Sequence, residues 1–304
     1  MSYDETIKDP HFKTKNTQSG SGGIVPSTFA TGYRYATLGY TTAMEAAVPP
    51  LMARHALEEM YDTPIIDNGY YVLLGNNLFL QSLIAEGRKE EFKEAVAWWL
   101  NVTKAYTVKL VNPGADEPWK GHKNLNVKHI DDNSKVVDIA PRTVIDAFIN
   151  VVHELGLPHP PHIHCNNLGH TGNYDTTIET MKTAGDRRLH VAHIQFNSYS
   201  GEMGKSPQSA SKEITDYIND HENITCDVGQ VMFGKAAFMT ADAPLTYLLR
   251  GYKKQKWVNA DTECESGCGI LPFDYQGMIY THALQWAIGL EIFLLSKDPW
   301  RIVL

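Results

Sequence analysis

The sequence predicts an α/β fold built on a parallel sheet, and three observations lead there. From about Ile24 onward, short apolar or β-branched runs alternate with segments of helical periodicity, the pattern of repeated βα units. The length of 304 residues, 43% of them hydrophobic and 20% charged, allows one large domain or two smaller ones with a substantial core. No Gly-x-Gly-x-x-Gly follows a strand candidate, which weakens a dinucleotide-binding doubly wound sheet relative to most of a (β/α)8 barrel.

The elements follow in order. Residues 15 to 23, with two close glycine clusters and no apolar anchor, read as a flexible loop, so residues 1–23 are set apart from an ordered unit over 24–304. Tyr40 to Ala46 is the first strand, and the helix after it opens at Pro49-Pro50, where a proline costs no hydrogen bond. Tyr70 to Leu74 is the second strand. Phe92, Val96 and Trp99 share a helical face at i, i+4, i+7 spacing, and Thr107 to Val111 returns as a strand stopped by Asn112-Pro113-Gly114. A polar insertion covers roughly residues 115 to 138. The helix from Pro141 turns Ile145, Phe148, Ile149 and Val152 inward and ends before Gly156. His162 to Cys165 is a strand whose helix runs to Gly185, and Leu189 to Phe196 is the next strand. Ser206-Pro207 reads as a helix cap and first turn ahead of Ile214, Tyr217 and Ile218, and Ile224 to Phe233 as a sixth strand. A long helix spans about Gly277 to Leu295. Asp298-Pro299-Trp300 is then a turn, and Arg301 to Leu304 looks like a strand just beginning, so the sequence reads as cut short.

Composition removes several function classes. A net charge of −8, with the 27 Lys and Arg gathered into no stripe, argues against electrostatic nucleic-acid binding. No run approaches the roughly 18 apolar residues of a membrane span, and polar Ser2, Tyr3 and Asp4 follow Met1, so the expected location is the cytoplasm. The cysteines, Cys165, Cys226, Cys264 and Cys268, are too few for a disulfide scaffold and are expected as thiols. Cys264 and Cys268 lack a second close pair and read as a loop rather than a metal knot.

The chemistry concentrates on strands. His162 and His164 are two residues apart and face the same side, and His193 lies about one βα unit later. Histidines at the carboxyl ends of successive parallel strands converge in a barrel, and imidazole is the commonest Zn²⁺ ligand. From spacing alone, satisfied core histidines among the 13 present fit equally well. Lys109 favours the metal reading: a lysine inside an apolar strand must be paired or lose its charge, and a neutral amine can take up CO₂ as a carbamate able to bridge two metals. Asn166 and Asn167 follow a strand end and could hold substrate or simply form a turn. Asp227, in an alternating strand pattern, reads more simply as a solvated charge than as a ligand, and His153 and His221 as solvent-facing helix residues.

The motifs Pro26-Ser-Thr-Phe-Ala-Thr-Gly-Tyr-Arg-Tyr35, Gly39-Tyr-Thr-Thr-Ala-Met-Glu-Ala46, Lys109-Leu-Val-Asn-Pro-Gly114, His162-Ile-His-Cys-Asn-Asn-Leu-Gly169, His193-Ile-Gln-Phe196 and Gln285-Trp-Ala-Ile-Gly-Leu290 leading to Asp298-Pro-Trp300 occur in order. With them the chain resembles the amidohydrolase subunits of formylmethanofuran dehydrogenases, which are metal-dependent. The resemblance covers nearly everything after the N-terminal loop. It implies a TIM-type (β/α)8 barrel, here incomplete and lacking the first strand and most of the eighth. It implies two Zn²⁺, with Lys109 as carboxylated bridging lysine, His164 and His193 as ligands and His162 beside them. The family's first-strand His-x-His pair is expected upstream of Met1 and its catalytic aspartate beyond Leu304, so this stretch alone is expected to be inactive. The implied reaction interconverts formate plus methanofuran with formylmethanofuran, a one-carbon step of methanogenesis from CO₂. A tungsten or molybdenum pterin and iron-sulfur clusters belong to partner subunits in that family. The bacterial formyltransferase/hydrolase complex, which releases formate from a methanofuran-like carrier, is the neighbouring alternative. An inactive scaffold subunit is the alternative of another class.

Overall fold

Alternation of apolar residues along successive strands decides the architecture, because each strand must bury one face under helices. The structure, a computed structural model, describes residues 28–114, 127, 129–134, 137–202, 205–240 and 269–304. The flexible loop expected over 1–23 and the Cys264/Cys268 loop lie outside these residues, as does most of the polar insertion.

A helix not foreseen from the sequence, α1 (Thr28–Thr37), precedes β1 (Thr42–Val48). A short 3-10 turn at Pro50–Met52 leads into α2 (Ala53–Tyr61), and then come β2 (Asp67–Leu73), α3 (Leu78–Ala85), α4 (Lys89–Thr103) and β3 (Thr107–Val111). Next are α5 (Pro141–Glu154), β4 (His162–His164), α6 (Tyr174–Thr183) and β5 (Leu189–Val191). A small antiparallel pair, β6 (Tyr199–Ser200) and β7 (Gln208–Ser209), leads to α7 (Ser211–Asp220) and β8 (Ile224–Asp227). A second antiparallel pair, β9 (Gly234–Thr240) and β10 (Gly269–Tyr275), precedes α8 (Tyr280–Leu295) and β11 (Ile302–Val303).

The main sheet has seven parallel strands in the order β1-β2-β3-β4-β5-β8-β11. This order never reverses. A doubly wound sheet reverses at a switch point, whereas a sheet that winds in one direction curls into a barrel, so the fold is an incomplete TIM-type barrel.

The core lies between this sheet and its helices. Val108, Leu110, Ile163, Leu189, Val191, Ile224 and Cys226, alternate residues of β3, β4, β5 and β8, join Phe148, Ile149, Ile214, Ile218, Ile288 and Ile292 from the helices in one buried cluster. Phe92 of α4 meets Phe148 of α5 edge-on, with ring centroids 5.1 Å apart. Each such side chain contributes about 1.5–3 kcal/mol by leaving water. The intervening strand residues, Lys109, His162, His164, His190, Thr225 and Asp227, therefore project to the other face, into the barrel.

Three expected elements differ. The strand expected over Leu189 to Phe196 stops at Val191: the Ala192 N–H donates to the Ile163 carbonyl, His193 turns into the left-handed region at φ +33°, and Ile194–Asn197 coils into a 3-10 turn that buries Ile194. The strand expected over Ile224 to Phe233 ends at Asp227, because the chain turns tightly where the Gln230 N–H meets the Val228 carbonyl. Ser206-Pro207 does not open a helix. Gln208–Ser209 pairs with Tyr199–Ser200 first, and α7 starts at Ser211, whose N–H donates to the Ser209 hydroxyl. His153 is exposed as expected, but His221 is half-buried, stacked on Tyr217 at 3.9 Å with Nδ1 2.8 Å from its carbonyl oxygen. Among the described residues no helix is long and apolar enough to cross a membrane.

Candidate metal centre

Parallel register sets the inner face of the barrel. Lys109 of β3 pairs with His162 of β4, and His162 with His190 of β5, so these three side chains lie side by side at one level. Asp227, at the end of β8, reaches toward them. The Lys109 ammonium donates to His162 Nδ1 at 2.6 Å, which leaves Nε2–H of that ring to donate to Asp227 Oδ2 at 3.0 Å. His190 Nε2 meets the same oxygen at 3.1 Å, and its Nδ1 lies 2.8 Å from the Thr225 hydroxyl. The two imidazoles stack 4.9 Å apart at 19°. The other Asp227 oxygen accepts the His193 backbone N–H and so supports the left-handed turn there.

Burial and these contacts set the protonation states. Desolvation, helped by the Lys109 charge, holds His162 and His164 well below the usual histidine range. His193 is likewise depressed, by desolvation first and then by His164 and Lys109. Burial alone would raise Asp227. Hydrogen bonds from His162 and His190 outweigh it and keep the carboxyl well below its ordinary value. Neutral imidazoles beside an ionised carboxylate are the forms in which these groups ligate metals.

Two sets of donors result. One nitrogen each from His162 and His190 and one oxygen of Asp227 lie within 4.8 Å of one another, a group able to hold a metal ion. Toward the carboxyl ends of the strands, the His164 and His193 rings meet edge to face with centroids 4.5 Å apart. His193 Nδ1 is buried there without a hydrogen-bond partner among the described residues. An orphaned buried imidazole nitrogen is costly unless something completes it, and a cation would. Imidazole and carboxylate donors in the first place, and paired imidazoles in the second, are ligand types that suit Zn²⁺.

The expected residues Lys109, His162, His164 and His193 thus occupy one inner face. Asn166 and Asn167 follow β4 and are buried, the former donating to the Pro113 carbonyl at 3.3 Å. Asn167 is engaged with the chain itself: its amide bonds both the N–H and the carbonyl of Val127 and reaches the Thr176 hydroxyl. Reading Asp227 as a solvated charge is corrected here, since its side chain is 24% exposed and accepts from two histidines. His190 escaped notice in the sequence. The sequence signal was alternation, since His190 lies between the core residues Leu189 and Val191, and the register then sets it beside His162. Cys165 and Cys226 are buried thiols, the former pushed up to about 12 by desolvation, and neither offers a ready thiolate.

Comparison with known proteins agrees with this architecture. The chain is 42% identical over 301 residues to protein FwdA of Methanocaldococcus jannaschii, covering 95% of this chain and 53% of that protein. It is 37% identical over 281 residues to the A component of the formyltransferase/hydrolase complex Fhc of Methylorubrum extorquens, covering 90% and 50%. The crystal structure of the FhcABCD complex from Methylorubrum extorquens with methylofuran contains a chain that matches with a TM-score of 0.83 at 36% identity, over 91% of this chain and 51% of that one. The chain therefore spans about half the length of the curated relatives it matches. Residues 8–302 match the model of the amidohydrolase family, and the chain belongs to that family.

Proposed function

We propose that this chain is the metal-binding part of the amidohydrolase subunit of a formylmethanofuran dehydrogenase, interconverting formate plus methanofuran with N-formylmethanofuran. The observation that carries the reading is the inner face itself, where Lys109, His162, His164, His190 and Asp227 gather in an amidohydrolase barrel and His193 Nδ1 has no partner among the described residues. Lys109 in carboxylated form, His164 and His193 would hold a binuclear zinc centre. Bound zinc would supply Lewis acidity toward the formyl oxygen and lower the pKa of attacking water. His162 fixes the Lys109 nitrogen through its 2.6 Å contact, and Asp227 fixes His162 and the His193 backbone. Asn166, buried just past β4, would contact the amine carrier.

Partner subunits of such a complex would carry the tungsten or molybdenum pterin and iron-sulfur clusters that make formate from CO₂. The likeness to the Fhc component, whose solved complex carries methylofuran, supports a second reading as a formyl-carrier hydrolase without that redox partner. A tungsten or molybdenum subunit encoded beside the gene favours the first reading, and a formyltransferase without one the second.

The test uses the full-length subunit. Metal analysis is expected to find about two zinc ions per chain, and Lys109→Ala, His164→Ala and His193→Ala to lower metal content and formylmethanofuran hydrolysis together. Unchanged zinc and turnover in Lys109→Ala would refute the assignment.

A further inference from the structure

Asn173 stands at the N-cap of α6, a position where asparagine ordinarily caps its own helix, yet its side chain makes no capping bond. It is 2% exposed and turned the other way. Its amide nitrogen donates to the carbonyl of Asn167 at 3.0 Å and to that of Phe196 at 2.8 Å, and its oxygen accepts the Tyr199 N–H at 3.0 Å. Because both nitrogen partners are carbonyls, which only accept, and the oxygen partner is an N–H, the amide can take only this orientation.

These partners lie on two different segments. Asn167 is three residues beyond His164, in the loop after β4, while Phe196 is three residues beyond His193, in the 3-10 turn after β5. One side chain therefore ties together the two loops that present the paired imidazoles. Two further ties run parallel to it: the Gly169 N–H donates to the Phe196 carbonyl at 2.9 Å, and the Thr177 hydroxyl of α6 to the Asn197 carbonyl at 3.0 Å. β5 ends two residues before His193, which sits at φ +33° with its backbone N–H on Asp227, so these ties are what joins its loop to the one after β4.

We propose that Asn173 is a positioning residue of the metal centre, clamping the His164 and His193 loops at the separation at which their imidazoles share one ion. The inference rests on the reading of His164 and His193 as ligands. The helix forgoes a cap to gain the clamp, which a purely helix-forming role for Asn173 does not explain.

The experiment compares zinc affinity, by chelator competition, and the visible spectrum of the Co²⁺-substituted full-length subunit for wild type, Asn173→Ala, Thr177→Val, His164→Ala and His193→Ala. Removing an outer partner of a metal ligand costs about 10- to 100-fold in affinity; Asn173 bonds the loops that carry the rings rather than the rings, so Asn173→Ala is expected near 10-fold, with an altered Co²⁺ band and preserved far-UV circular dichroism. Thr177→Val keeps the shape and removes the hydroxyl's bonds to the Asn197 and Asn173 carbonyls, and its expected loss is smaller, in the same direction. Should Asn173→Ala fail to fold, Asn173→Asp, which keeps an acceptor for the Tyr199 N–H and loses both donations to the loop carbonyls, decides. Affinity within about twofold of wild type and an unshifted Co²⁺ band, in the folded variant that decides, would overturn the clamp while His164→Ala and His193→Ala still lose metal. If those two histidine variants keep their metal, the ligand assignment itself fails, and the clamp with it.

Discussion

Asp227→Asn is the perturbation that most directly probes the inner face. The substitution keeps the size of the side chain and removes its charge. In the native site the carboxylate accepts from His162 Nε2, His190 Nε2 and the His193 backbone N–H. An amide oxygen can serve His193, but the amide nitrogen then faces two ring nitrogens that are themselves donors. His162 cannot simply exchange tautomers, because its Nδ1 already accepts from Lys109 at 2.6 Å. His190 can exchange, because its Nδ1 faces the Thr225 hydroxyl, which can accept as well as donate. One charge-assisted hydrogen bond at about 1.5–3 kcal/mol is therefore lost, and the other falls to a neutral one at about 0.5–1.5 kcal/mol. The 24% exposure of the carboxylate admits some solvent compensation and puts the expectation near the lower end, about 2 kcal/mol in total. Urea unfolding of the metal-stripped protein reads this as a lower midpoint at constant m-value. A loss below about 1 kcal/mol would mean that the network does not exist as described. A double-mutant cycle with His190→Gln should return a coupling of about 1 kcal/mol or more, and additivity would refute the shared oxygen.

Three further outcomes are expected. Metal-stripped protein should lose stability as pH falls below about 6.5: His162, His164 and His193 are depressed in the fold, so the unfolded chain binds more protons there and the loss continues down toward the folded values, readable as a falling Tm. Phe148→Ala, at a fully buried position against Phe92, should cost about 3–5 kcal/mol in denaturant unfolding. Gly114→Ala should lower the Tm more than an exposed Gly87→Ala: Gly114 has φ +66° and its Cβ would sit 2.8 Å from Pro141 Cα, whereas Gly87 at φ +70° has open space around it.

Much of this molecule was legible in sequence order. The strand Thr107 to Val111, the helix from Pro141 and the strand at His162 came from local signals: β-branched runs, a proline at a first helical turn, and glycines at φ +66° and +62° just past Val111 and Glu154. Lys109 stood out because a charge within an apolar strand demands an explanation. The strand ends at Val191 and Asp227 were not legible, since apolar residues such as Ile194 and Val228 continue the pattern and bury themselves in turns instead.

What the sequence by itself determined, then, was the succession of βα units and a set of strand residues too polar for a core, because both follow from periodicity within a few residues of chain. Only the tertiary structure decided that Asp227 is the shared acceptor of His162 and His190, that His190 belongs to the site, and that Asn173 serves two loops rather than its own helix. Those facts depend on which strand lies beside which and in what register. Contacts across 37 and 65 residues of sequence leave no trace in local composition, and only the winding of the sheet brings them together.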